Sequence, residues 1–356
     1  VFHTLDYGQS WNSLVTEDLD AYCHTIKQDP VNADLLFLGT EFGLFISLDH
    51  GKQWKRFMNN VPKVGVFEIV IQASQHDLVL GTHGRGIIII DDITPLRNLT
   101  PEKMTQNLAF LPLRPFHFIS QTGLQDFGGD QEFVGPNYPN VARIAYHLKK
   151  RHVFGDLYME LFDAEGNFIK KLQTGGRKGI NVVTVPINLD PPKVPKSPNI
   201  LGEAAFGPSL EEGSYKIKIT KGKETYETEL VLNENQKLTH TKAERKLRYE
   251  TMMRAYKMLE NLAELDTEIL DKQATAQTEL EGAKSKRAKT KAQEEVAKYA
   301  AMHESISATQ PGEGGIPGQI RLREKIAEIY SALGGYQGAP TNLQVKALDL
   351  YSGEIT

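Results

Sequence analysis

Thr4-Leu5-Asp6-Tyr7-Gly8-Gln9-Ser10-Trp11 returns 43 residues later as Ser47-Leu48-Asp49-His50-Gly51-Lys52-Gln53-Trp54. The shared pattern is Ser/Thr-Leu-Asp-x-Gly-x-x-Trp, and Trp11 and Trp54 are the only two tryptophans in the chain. A third pass is worn. Asp34-Leu35-Leu36-Phe37-Leu38-Gly39-Thr40 recurs as Asp77-Leu78-Val79-Leu80-Gly81-Thr82, and Gly86 leads to Asp92 as Gly43 leads to Asp49. No Gly or Trp follows Asp92 at the matching positions. Self-similarity at a fixed period marks a repeat architecture, and a worn copy suits the end of an array. Short runs of β-branched and bulky apolar residues predict strands over 21–28, 35–40, 43–48 and 53–57 in one copy. Four short strands per 43 residues is the size of a β-propeller blade.

The motif has a local physical logic. An Asp side chain hydrogen-bonds the backbone of a tight turn, Gly supplies a positive φ, and Trp offers a large surface to pack between sheets. Asp6, Gly8, Trp11, Asp49, Gly51 and Trp54 therefore read as structural. Strands of one blade alternate in direction, so successive turns fall on opposite rims. The turn between the second and third strands reads Thr40-Glu41-Phe42-Gly43 in one copy and Thr82-His83-Gly84-Arg85-Gly86 in the next.

These residues resemble the Asp-box (BNR) repeats of sialidase-like and sortilin-type propellers. The whole chain is similar to the C-terminal part of large bacterial sortilin-like proteins, often labelled glycosyl hydrolases on the repeat alone. The resemblance implies a chain that is mainly β and then α. Its parts would be the last blades of a propeller (1–95), a connector (96–140), an Ig-like β-sandwich (141–235) and a helical bundle or hairpin (239–356). It also implies upstream blades, export to the periplasm or beyond, and a ligand on the rim opposite the Asp-boxes. Glu41, His83 and Arg85 are then the polar groups placed to meet a ligand. Imidazole can act as acid, base or metal ligand, and guanidinium can clamp a carboxylate. A sialidase-like site needs several arginines, a Tyr/Glu nucleophile pair and an acid, drawn from many blades. This chain supplies no such set, so no catalytic residue, metal or cofactor is assigned.

Beyond the repeat, Thr100-Pro101-Glu102 predicts a short helix capped by Thr100. Residues 111–115 read as extended connector and 121–140, with Gly135-Pro136-Asn137, as a long loop. From 141 the period is two: Ile144, Tyr146 and Leu148, then Leu157, Met159 and Leu161. Asp163-Ala164-Glu165-Gly166-Asn167 and Lys221-Gly222-Lys223 read as hairpin turns, and 190–208 as an exposed Pro-rich loop. The stretches LFDAEGNFIKKL (161–172) and EGSYKIKI (212–219) are similar to the Ig-like fold of flagellar hook-capping proteins.

Thr241-Lys242-Ala243-Glu244 is a capping box. Leu247, Met252, Tyr256, Leu259, Leu262 and Ile269 then recur at helical spacing. Further helices are expected over 275–306, over 319–333 with Ile320, Ile326, Ile329 and Tyr330 on one side, and after Thr341. Pro311-Gly312-Glu313-Gly314-Gly315 reads as a loop.

Net charge is −4 and the pI about 6.2, which argues against a nucleic-acid partner. Lys284–Lys291 reads as a solvated helix face among glutamates. No apolar stretch is long enough to span a membrane. Cys23, the lone cysteine, reads as a small buried residue. Two functions are expected to compete. One is a non-catalytic binding or assembly module that recognises a peptide, protein or polysaccharide. The other is a glycoside hydrolase whose catalytic residues lie upstream.

Overall fold

The computed structural model describes residues 1–19, 21–118, 141–198, 204–233, 240–310 and 318–355. The loops expected at 121–140 and 311–315 lie outside the described residues. The chain divides into two compact units. The first holds Val1–Phe118, Tyr138–Val185 and Gly213–Asn233, and the second the described parts of Pro186–Glu212 and Glu234–Thr356. Strands fill the first and helices the second, without any sheet closing into a barrel among the described residues.

The first unit opens with the hairpin of β1 (Phe2–His3) and β2 (Asn12–Ser13). An antiparallel sheet follows in sequence order: β3 (Cys23–Gln28), β4 (Leu36–Thr40), β5 (Gly43–Ser47) and β6 (Lys55–Phe57). The next sheet holds β7 (Val66–Gln72), β8 (Asp77–Thr82) and β9 (Ile87–Ile90). Strands β4 and β5 are buried on both faces. One face packs Phe37, Leu44 and Ile46 against Val66, Ile69 and Leu80 of the following sheet. The other packs Leu36, Leu38, Phe45 and Trp54 with Val1, Leu14 and Leu19 of the preceding segment. A middle sheet with two apolar faces explains why β4 and β5 read as continuous apolar runs rather than alternating ones.

In place of a fourth strand after β9 comes a helical turn, α1 (Thr94–Arg97). Its Arg97 forms a forked, buried ion pair with Asp29, with contacts of 2.8–3.0 Å. The expected Thr100 cap opens α2 (Pro101–Thr105).

The stretch read as connector contributes two strands. β10 (Leu108–Leu111) pairs antiparallel with β12 (Val141–Leu148), and β11 (Phe116–His117) pairs parallel with β17 (Glu224–Asn233). The order of one sheet is β10-β12-β15, with β15 at Gly179–Pro186. The other is β11-β17-β16-β13-β14, with β13 (Leu157–Phe162), β14 (Phe168–Leu172) and β16 (Gly213–Lys221). The hairpin turn at Asp163 forms as expected, with the Asn167 amide donating to the Asp163 carboxylate at 2.7 Å. Burial along β12 does not alternate: Ile144 to Leu148 are all buried.

The second unit holds α3 (Lys242–Gly282), α4 (Lys286–Ile306), α5 (Leu322–Gly335) and α6 (Asn342–Ile355). The Thr241/Glu244 capping box forms. Helix α3 runs past the expected boundary because no breaker occurs before Gly282. Met252, Leu259, Leu262 and Ile269 are buried, but Leu247 and Ile320 are exposed. The basic run at 284–291 is exposed, as read. The Pro-rich segment is not a free loop: Ala204 is in the helical core, and the Tyr330 hydroxyl donates to the Phe206 carbonyl at 2.6 Å. Among the described residues no helix is long and apolar enough to cross a membrane.

Candidate functional site at the rim opposite the Asp-boxes

The two intact motifs build the same turn. In the first, the Thr4 hydroxyl donates to Asp6 at 2.8 Å and accepts from the Gly8 amide at 2.8 Å, while the Ser10 amide donates to Asp6 at 2.8 Å. In the second, Ser47, Asp49, Gly51 and Gln53 repeat these bonds at 2.8–2.9 Å. Tyr7 and His50 have φ of 57° and 59°, and Gly8 and Gly51 have 88° and 84°. Hydrogen bonds from the Ser10 hydroxyl and amide hold the Asp6 carboxyl down at about 2. The Ser/Thr hydroxyl and one carboxylate oxygen of each motif are thus spent within its own turn.

The two tryptophans part company. Trp54 is fully buried, with its indole N–H donating to the Leu14 carbonyl at 2.9 Å. Trp11 is 60% exposed, against the expectation that it packs between sheets. Asp92, the third marker, does not hold a hairpin turn. Its carboxylate accepts from the amides of Thr94 and Arg114, and its own amide donates to Asp77.

The opposite rim is built by the β4–β5 and β8–β9 turns. Each is closed the same way, with Thr40 donating to the Gly43 carbonyl at 3.0 Å and Thr82 to the Gly86 carbonyl at 2.7 Å. Glu41 sits in the first turn and accepts a 2.7 Å hydrogen bond from His24. The His24 ring stacks on Phe67, centroids 4.0 Å apart at 15°, and Phe67 lies 5.9 Å from the His83 ring. Glu41 and His83 therefore meet through His24 and Phe67. Arg85 stays apart, its guanidinium turned to the Gly84 carbonyl.

His24 and Phe67 hold the same place in successive repeats, 43 residues apart. Each is the extra residue of a β-bulge, between Cys23 and Thr25 on β3 and between Val66 and Glu68 on β7. A bulge re-aims the side chain it carries, so both rings leave the pleat and meet at the rim. The sequence signal was there once the repeats are aligned on β3 and β7, but a bulge has no residue signature of its own. Cys23, beside the first bulge, is exposed rather than buried.

Beside this cluster the Phe42 ring carries the Lys63 ammonium at 4.9 Å and lines a pocket of about 220 Å3 with Trp54, Lys55, Arg56 and Asp18. The Arg56 guanidinium lies over Gly43, where a Cβ would stand 3.3 Å from Nε.

The chain matches no protein-family model and no curated protein. The site's meaning therefore rests on its geometry. A stacked His–Phe pair, one carboxylate and a cation-lined aromatic pocket offer flat apolar surface with hydrogen-bonding groups at its margin. Such a surface suits recognition.

Proposed function

We propose that this chain ends an Asp-box β-propeller of sortilin-like type, followed by an Ig-like sandwich and a helical bundle, and that it works as a non-catalytic binding module. Its ligand is a peptide or polymer laid across the rim opposite the Asp-boxes. Sheets stacked face to face and joined in sequence order support the propeller reading. Paired bulges carry the functional reading: two successive repeats each re-aim one ring, His24 and Phe67, to build a single exposed surface beside Glu41 and His83. Export to the periplasm or beyond fits a module of this kind.

The test is a peptide and glycan array probed with the 356-residue chain, followed by titration of the hits. Phe67→Ala and His24→Ala are expected to weaken binding about tenfold or more, because aromatic anchors dominate such interfaces. His83→Ala should cost less, and Arg85→Ala least. All four should leave thermal stability close to wild type. Hits that ignore Phe67→Ala and His24→Ala would remove the rim from the function. Turnover of a bound glycan by this chain would overturn the non-catalytic reading.

A further inference from the structure

The Asp-box side carries a second cluster that the proposed function does not use. His3, on β1, and His50, in the turn after β5, bring their Nε2 atoms to 3.2 Å. The rings sit 4.8 Å apart at 69°. His50 Nδ1 lies 3.0 Å from the Ala33 carbonyl and 3.8 Å from the Asp34 carboxylate. A carbonyl oxygen only accepts, so Nδ1 carries the proton and Nε2 presents its lone pair toward His3.

The geometry points to a two-histidine site for a zinc-like divalent cation, bridging the β1–β2 hairpin and the next repeat. Two imidazole nitrogens at about 2.0–2.1 Å from one tetrahedral ion stand about 3.3 Å apart, close to the separation found here. Metal-bound histidines characteristically donate their other N–H to a backbone carbonyl or a carboxylate, and His50 has both beside Nδ1. The motif itself prepares the ligand. His50 occupies the x position of Asp-x-Gly at φ 59°, its amide donates to the Asp34 carbonyl, and the turn holds it rigidly. Its counterpart in the first motif is Tyr7, which has no imidazole, so the arrangement belongs to this repeat and not to the motif in general. Among the described residues no third His, Cys, Asp or Glu joins the pair. The ion would complete its shell with water or with a ligand atom, and its effect is to staple adjacent repeats.

Zinc binding to the full chain is measured by calorimetry in metal-free buffer, with thermal melts alongside. His3→Gln and His50→Asn are the variants, the latter because Asn tolerates a positive φ. Wild type should bind one Zn2+ saturably through this pair and melt higher in its presence. Each variant should lose affinity by about tenfold or more, and the double variant should lose no more than either single one. Absence of zinc binding in wild type, or unchanged affinity in both variants, overturns the site and leaves a neutral His–His hydrogen bond.

Discussion

Trp54 and Trp11 occupy the same place in the same motif, yet they differ completely in energetic role. Burial of an indole contributes through area removed from water and through the cavity its loss would leave. Trp54→Ala should therefore cost about 3–5 kcal/mol in urea denaturation. Trp11, 60% exposed, has few partners to lose. Trp11→Ala should stay within about 0.5 kcal/mol. Equal losses at the two positions would show that the motif, not the packing, sets the stability. This contrast also measures what was legible. Residue types at a 43-residue spacing expose the turns, because the Asp, Gly and Ser/Thr hydrogen bonds are local in sequence. They do not expose which Trp is buried, because burial depends on residues from neighbouring sheets. The same holds for Glu41. Its place in a turn followed from the repeat, but its bond to His24 crosses 17 positions.

At the scale of elements, strand positions were readable to within two residues in the repeat, and the Thr100 cap and the Thr241 capping box marked the starts of α2 and α3. What escaped were features set by tertiary contact. Strands β10 and β11 flank the Pro112–Pro115 stretch and are short, so they look like connector until a partner strand is known. The bulges that shape the rim belong to this class too. Gly39 on β4 faces one of them: a Cβ there would stand 2.4 Å from the Val66 carbonyl, at the edge of the β7 bulge, and 2.7 Å from Thr25. The clash is with backbone, which cannot rotate away. Gly39→Ala should thus destabilise the first unit by about 1–3 kcal/mol, as overpacking does. It should also weaken rim binding, because β7 must shift where Phe67 leaves the pleat. A variant with wild-type stability and wild-type binding would mean that β4 and β7 do not set the bulge. Gly84, with φ of 81° and no neighbour within 4 Å, is a control in which only backbone strain enters.

At the scale of the whole chain, each compact unit buries its own apolar cluster. The β4–β9 sheets close over Phe37, Val66 and Ile69, while the helices close over Leu259, Ile326 and Tyr330. The two probes of folding fall on different sides of this division. Both tryptophans lie in the first unit, and nearly all helix lies in the second. Indole fluorescence therefore follows the sheets around Trp54, and the far-UV helical signal follows α3 to α6. Non-coincident transitions are the mark of units that unfold separately. The capping box of α3 provides the lever. In it Thr241 accepts from the Glu244 amide, and the Glu244 carboxylate accepts from the Thr241 amide at 2.8 Å, a bond that lowers the Glu244 pKa. Thr241→Ala removes that cap at a cost of about 1 kcal/mol. In a urea titration it should move the helical midpoint to lower denaturant and leave the fluorescence midpoint in place. If both midpoints coincide in the wild type and shift together in Thr241→Ala, the chain unfolds as one cooperative body, and the rim and the helices share a single stability.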